Sequence, residues 1–215
     1  MLTVLWDNDG VLVDTEGMYF QACQEVLGSI GIDLTLDQFR DISLRRGEST
    51  FVLAAEQGID ADTVSRLRKE RDRIYAELLA SQCPVIDGVE EVLRSLHGRV
   101  RMGVVTSARR QHFEAAHAKS EVIQYMDFVL TREDYTHSKP HPEPYLTAME
   151  WHGLRPDQCI VVEDSERGLA AATAAGLDCI IVLSEWTIGG DFSKAVAVVE
   201  DITGVPEEVL RRAGS

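Results

Sequence analysis

Asp7 and Asp9 stand two residues apart in Asp7-Asn8-Asp9-Gly10, directly after the apolar run Leu2-Thr3-Val4-Leu5-Trp6. Two carboxylates at that spacing repel each other and are costly to desolvate, so a fold that keeps both uses them on a cation or in a reaction. The plain alternative is an Asp-rich turn in which Gly10 supplies an unusual backbone angle. Three further segments bear on the choice. Val104-Val105 ends in Thr106-Ser107, the loop after Val129-Leu130 carries Ser138-Lys139-Pro140, and Val161-Val162 ends in Glu163-Asp164-Ser165. Singly each is ordinary: a helix cap, a solvated lysine, acids ahead of a helix. Jointly they are not, because each puts a carboxylate, hydroxyl or ammonium at the end of an apolar run or in the loop after one, and phosphate chemistry uses all three groups.

The elements that must position these groups follow from the apolar pattern. Short, often β-branched runs recur at 2–6, 101–105, 127–130, 159–162, 179–183 and 195–199. Near-continuous apolar strands of this length suit a parallel sheet covered on both faces. Ligands bind at the carboxyl ends of such strands. Between the later runs lie helical patterns: Val89, Val92, Leu93 and Leu96 share a face, as do Tyr145, Leu146 and Met149, and 169–175 is rich in alanine. Strand and helix alternate from about Asp87 onward, which argues βαβ units.

Residues 15–83 break that alternation. Met18, Ala22, Cys23 and Val26 make one helical stripe, and Val64, Leu67, Ile74, Tyr75 and Leu78 make a longer one behind an expected Asp62 cap. About seventy residues without a strand exceed a crossover helix, so the expected organisation is a core of 1–14 and 84–215 with a helical lid of 15–83.

Composition excludes other classes. The 215 residues are 45% hydrophobic and 27% charged, the proportions of an ordinary globular chain rather than a disordered or membrane one. A net charge of −15 repels nucleic acid and anionic lipid, so neither is an expected partner. It also repels anionic substrates, which therefore need a local source of positive charge. The scattered Cys23, Cys83, Cys159 and Cys179 read as buried thiols of a reducing compartment, and the N-terminal residues lack a basic leader. No apolar run reaches the ~18 residues of a membrane span. A cytoplasmic protein, monomeric or weakly dimeric, is the expectation.

The four segments, in this order, resemble the motifs of the haloacid dehalogenase superfamily, and the whole chain resembles its helical-cap branch, which includes β-phosphoglucomutase, phosphoglycolate phosphatase and sugar-phosphate phosphatases. The likeness extends to Pro84-Val85-Ile86-Asp87-Gly88-Val89, to Lys139-Pro140-His141-Pro142-Glu143-Pro144-Tyr145, and to Glu163-Asp164-Ser165-Glu166-Arg167-Gly168 followed by Ala174-Ala175-Gly176. The resemblance implies an α/β fold: a Rossmann-like parallel sheet core with helices on both faces, plus an inserted helical-bundle cap.

It also implies roles. Asp7 would attack phosphorus and form an aspartyl phosphate, and Asp9 would protonate the leaving oxygen and then deprotonate water. Asp7, the Asp9 carbonyl and Asp164 would bind Mg²⁺, with Glu163 a ligand, a partner of ligands or a structural acid. Thr106 and adjacent N–H groups would hold the phosphoryl oxygens, Ser107 would support them, and Lys139 would bridge Asp7 and the phosphoryl group. Against four carboxylates, only Mg²⁺ and Lys139 could make the site accept an anion.

The sequence departs from the family pattern in places. Asn8 replaces a usual apolar residue, and alternation should turn its side chain away from the chemistry. Ser138 replaces a common glycine. Tyr19 stands where β-phosphoglucomutase has a gating histidine, which weakens a mutase reading, and Asp9 argues against a dehalogenase. In the cap, Arg45 and Arg46 within Leu44-Arg45-Arg46-Gly47-Glu48-Ser49 could reach the leaving group, or be surface charge in a stretch with twelve acids and eight bases over 15–85. His137 and His141 bracket Lys139 without an apparent third metal ligand and read as loop histidines. The basic run 66–73, interleaved with acids, reads as a solvated helix face. The function implied is a Mg²⁺-dependent phosphatase acting on a small phosphorylated metabolite, a sugar phosphate or phosphoglycolate-like monoester. A phosphomutase and a signalling module phosphorylated on Asp7 are the rivals.

Overall fold

The computed structural model describes residues 1–81 and 85–214. Cys83 and the expected boundary between lid and core at 83/84 lie outside the described residues. Six strands form one parallel sheet: β1 (Thr3–Trp6), β2 (Arg101–Val105), β3 (Phe128–Leu130), β4 (Cys159–Glu163), β5 (Asp178–Val182) and β6 (Ala197–Val199), in the order β3-β2-β1-β4-β5-β6. These are the six runs read from the sequence. Thr3 pairs with Arg101 on one side and Cys159 on the other, so β1 sits between the two strands that end in Thr106-Ser107 and Glu163-Asp164.

The period-2 alternation of the strands sorts their side chains into two cores. Val4 and Trp6, Met102 and Val104, and Ile160 and Val162 face one layer with Val89, Val92, Leu93 and Leu96. Leu5, Val105, Val161 and Ile181 face the other with Tyr145, Met149 and Leu169. Helix α5 (Val89–Leu96) shows why the first layer forms: its apolar residues fall at i, i+3, i+4 and i+7, all four are buried, and Glu90 and Glu91 lie at the positive end of its dipole. Helices α7 (Glu143–His152) and α8 (Glu166–Ala174) cover the second layer. Helices α6 (Arg110–His117) and α9 (Val205–Ala213) join the first, through Phe113 and Val209.

Between β1 and α5 the elements among the described residues are helical: α1 (Glu16–Gly28), α2 (Leu36–Phe39), a π-helical turn over Arg40–Arg45, α3 (Val52–Glu56) and α4 (Ala61–Ser81). These helices bury a third apolar cluster of their own, around Ala22, Leu27, Leu34, Phe39, Phe51 and Leu79. Ala116 of α6 joins this cluster and ties it to the sheet layers. The cap of α4 differs from the sequence expectation. Asp60, not Asp62, accepts the Thr63 N–H at 2.9 Å, because the helix starts one residue before Asp62 and leaves that carboxylate in the first turn.

Leu93 is fully buried where α5 meets the sheet. Leu93→Ala is expected to lower the unfolding free energy by about 2–5 kcal/mol, read from urea denaturation.

Candidate active site

Strand alternation delivers the reactive groups. Asp7 continues the side of Leu5, and its N–H extends the β1–β4 pairing to the Val162 carbonyl at 2.9 Å. Glu163 continues the side of Cys159 and Val161, towards Tyr145. Asn8 falls on the opposite side. Its side chain is fully buried and its Oδ1 meets His117 Nε2 at 2.7 Å, so it points away from the carboxylates as the sequence implied. Burial pushes the His117 imidazole down to about 4, leaving it neutral and able to donate this hydrogen bond.

Lys139 is the hub. Its ammonium, 5% exposed, donates to Asp7 Oδ1 at 2.6 Å, Glu163 Oε1 at 2.7 Å and the Val105 carbonyl at 2.8 Å. Burial alone would lower its pKa, but the charges of Asp7 and Glu163 more than reverse this and raise it. Burial, the Glu163 charge and the Asp9 charge push the Asp7 carboxyl up to about 7, with Lys139 opposing them. Asp164 is raised well above its ordinary value by burial, then by Glu16 and Glu163. One ammonium does not balance this group of acids. The remaining negative charge calls for a further cation.

The donor set fits a hard cation. Carboxylate oxygens of Asp7, Glu163 and Asp164, all buried, lie within 4.8 Å of one another. Both oxygens of Glu163 are already engaged: Oε1 by Lys139 and by Tyr145 Oη at 2.9 Å, Oε2 by Ser165 Oγ at 3.1 Å and the Asp164 N–H at 3.3 Å. That engagement favours Glu163 as the acid that holds Lys139. Two glycines allow the acids to close in. A Cβ on Gly10, whose φ is +77°, would stand 2.2 Å from Asp164 Oδ2 and 3.2 Å from Glu16 Oε1; one on Gly168 would stand 1.8 Å from the Glu163 carboxyl carbon.

The hydroxyl segment lies alongside. Thr106 Oγ1 donates to Asp9 Oδ2 at 3.3 Å and accepts the Ala108 N–H at 2.9 Å. The other oxygen of Asp9 accepts from Thr15 Oγ1. Ser107 Oγ is buried without a hydrogen-bond partner among the described residues, a donor available to a ligand. Asp7, Asp9, Ser107, Lys139 and Asp164 line one chamber of about 130 Å³. A second cavity of about 530 Å³ opens from Asp9 and Ser107 towards the helical insertion.

Arg45 and Arg46 stand apart from both spaces. Arg45 is 3.9 Å from Glu166, and Arg46 pairs with Asp41 at 3.2 Å and Glu48 at 3.0 Å; acidic neighbours hold both outside. The outer cavity is lined instead by Arg68, Arg71, Arg109 and Arg167. The basic run on α4 is therefore not wholly a solvated face. Arg68 and Arg71 follow Val64 by four and seven residues, on the side of the helix that carries the buried Val64, Arg71, Ile74 and Tyr75, although Arg68 itself is exposed, and that spacing was the available signal. Arg71 is 8% exposed and donates to the Tyr19 hydroxyl, with its guanidinium 4.7 Å from that ring. Asp72 links α4 to the residue that precedes α6, accepting from Arg71 Nε at 2.9 Å and from Arg109 at 3.3 Å.

Two more residues escaped the sequence reading. Glu16 is buried near Asp9 and Asp164, and burial with the Asp9 charge raises its pKa well above the usual value. Arg167 donates to the Lys139 carbonyl at 2.7 Å and to the Ser43 carbonyl at 3.3 Å, bridging the lysine loop and the π-helical turn. Its guanidinium packs so close to Gly47 that a Cβ there would stand 2.6 Å from Cζ. Neither contact follows from local sequence.

A sequence profile described as haloacid dehalogenase-like hydrolase matches residues 4–182. The chain belongs to this family. It is 32% identical over 183 residues to a fructose-1-phosphate phosphatase of Escherichia coli (strain K12), covering 83% of this chain and 95% of that protein. It is 31% identical over 220 residues to a phosphorylated carbohydrates phosphatase of Thermotoga maritima, covering 98% and 100%. A β-phosphoglucomutase structure from Clostridium difficile superposes with a TM-score of 0.84 at 19% identity, covering all of this chain and 98% of that one, which establishes the shared fold. As a family member with phosphatase relatives, the chain is a phosphoric monoester hydrolase.

Arg167→Ala removes both carbonyl bridges. It is expected to lower kcat for an aryl phosphate about tenfold, equivalent to ~1.4 kcal/mol in the barrier, with a smaller change in KM. An unchanged kcat would show that the bridge serves stability alone.

Proposed function

We propose that this hydrolase is a Mg²⁺-dependent phosphatase of small organic phosphate monoesters, sugar phosphates or phosphoglycolate-like compounds, working through a phosphoryl group carried on Asp7. The observation that carries the proposal is the single buried ammonium of Lys139 held between Asp7 and Glu163 beside Asp9 and Asp164. In this reading residues 15–83 are a cap over a core of 1–14 and 84–215, working in a reducing cytoplasm that suits the buried Cys23, Cys159 and Cys179.

The residues divide the work. Asp7, Asp164 and the Asp9 carbonyl would hold the cation, which when bound would neutralise phosphoryl oxygens and favour anion binding beside the acids. Glu163 keeps Lys139 in place. Lys139 draws a phosphoryl oxygen towards Asp7, and Thr106 and Ser107 donate hydrogen bonds to the others. Asp7 attacks phosphorus as the ester oxygen leaves, and Asp9, at the mouth of both cavities, protonates that oxygen. Asp9 then takes a proton from the water that displaces Asp7 from phosphorus. Helices α1 to α4 exclude bulk water during transfer.

The leaving group would meet arginines set among Tyr19, Phe39, Leu44 and Tyr75. Arg68 has no acid partner among the described residues, and Arg109 shares Asp72 with Arg71, so a polyhydroxylated or carboxylated leaving group suits the outer cavity. The mutase alternative lacks a gate at Tyr19, whose hydroxyl is engaged by Arg71.

A Mg²⁺-dependent screen over sugar phosphates, phosphoglycolate and nucleotides tests the proposal. Asp7→Asn should abolish turnover of every substrate, and retained turnover would remove the nucleophile. Asp9→Asn should slow it about 10²–10⁴-fold. Arg68→Ala should raise KM for the preferred metabolite while leaving a neutral aryl leaving group unaffected, and equal effects on both would remove Arg68 from substrate recognition.

A further inference from the structure

A second set of donors gathers in the loop that carries Lys139. His137, His141 and Glu143 fall within seven consecutive residues, and one ligand atom from each lies within 4.8 Å of the others. His137 Nδ1 is 2.6 Å and His141 Nδ1 3.8 Å from Glu143 Oε2, and the two imidazole centroids are 4.7 Å apart. The sequence offered two histidines without a third ligand; the fold supplies it, because the turn closed by the His141 N–H to the Ser138 carbonyl brings Glu143, the first residue of α7, back onto the N–H groups of Thr136 and His137.

The donors lie within reach of one ion. Metal–ligand bonds of about 2.0–2.1 Å place neighbouring donors of a tetrahedral site roughly 3.3 Å apart, and the two separations to Glu143 Oε2 fall on either side of that value. The carboxylate is fixed in advance. Glu143 Oε1 accepts the Thr136 N–H at 2.7 Å and Oε2 the His137 N–H at 2.9 Å. A carboxylate has about four acceptor sites, so the backbone leaves others for an ion. Metal uptake would displace the His137 Nδ1 proton now shared with Glu143, and the 3.2 Å hydrogen bond from the Glu143 N–H to His141 Nδ1. Both imidazoles are more than half exposed, 63% and 51%, so an ion can reach them without opening the fold.

We propose that His137, His141 and Glu143 form a Zn²⁺ site of the two-imidazole, one-carboxylate type, on the loop that carries Lys139. Donor chemistry separates it from the buried acids. Imidazoles suit Zn²⁺ and its neighbours, whereas the all-oxygen set of Asp7, Asp164 and the Asp9 carbonyl suits Mg²⁺. The ion would tie the two ends of the 137–143 loop, and it stands independently of the activity proposed above.

The test uses chelator-stripped full-length protein held in excess Mg²⁺, so that the oxygen site is filled, and titrated with Zn²⁺ by calorimetry. The wild type is expected to bind one Zn²⁺, and Co²⁺ in its place should give the visible absorption of a nitrogen-ligated ion. The double variant His137→Ala/His141→Ala should bind Zn²⁺ at least about 100-fold more weakly, since losing even outer partners of a metal site costs about 10–100-fold. Its circular dichroism and Mg²⁺-supported turnover without Zn²⁺ should match the wild type, showing that the loop still folds. No Zn²⁺ uptake by the Mg²⁺-saturated wild type would overturn the proposal, as would equal affinity in the double variant, which would place the ion among the buried acids.

Discussion

The structure turns on a charge imbalance around one buried ammonium. Lys139 contacts Asp7, Glu163 and the Val105 carbonyl at 2.6–2.8 Å, while Asp9, Glu16 and Asp164 crowd the same region. Burying that many carboxylates with one cation is unfavourable unless further positive charge arrives. The net charge of −15 takes on a local meaning here: part of it is gathered around Lys139, where in the proposed function it would be met by a divalent cation through which, with the lysine, the phosphate would be accepted. Gly10 and Gly168 exist at their positions because side chains there would collide with the acids.

Positioning comes from the sheet. β1 lies between β2 and β4, so three strands deliver Asp7, Thr106 and Glu163 to one end of the sheet, and alternation decides which side each faces. Tyr145 reaches Glu163 from the layer that packs on that side. The helical insertion meets the site through polar groups as well as apolar contact. Arg167 joins the lysine loop to the π-helical turn, and Asp72 joins α4 to Arg109, so changes at the insertion can be felt at Lys139.

Much of this was legible in the sequence because it depends on short-range patterns. The six apolar runs became the six strands, and three of the four chemical segments lie at strand ends with the fourth in the loop after β3, because a parallel sheet gathers the carboxyl ends of its strands on one side. What was not legible depends on pairings between distant segments. Arg45 and Arg46 were reasonable substrate contacts by position, yet Asp41, Glu48 and Glu166 draw them outward. Arg68 and Arg71 carried a signal in their spacing from Val64 that the surrounding charges obscured. Arg167, Glu16 and the role of Glu143 between two histidines required the fold, since each acts on a group that a turn or crossover brings back to it.

The most direct measurement is to quench the Mg²⁺-loaded enzyme in acid during turnover of a phosphate monoester and locate the phosphoryl group by peptide mass spectrometry. The expected result is one phosphoryl group on the peptide containing Asp7, absent when Lys139 is replaced by methionine. A phosphoryl group on any other residue, or the same yield at Asp7 without the lysine, would contradict an account in which that ammonium makes Asp7 able to receive it.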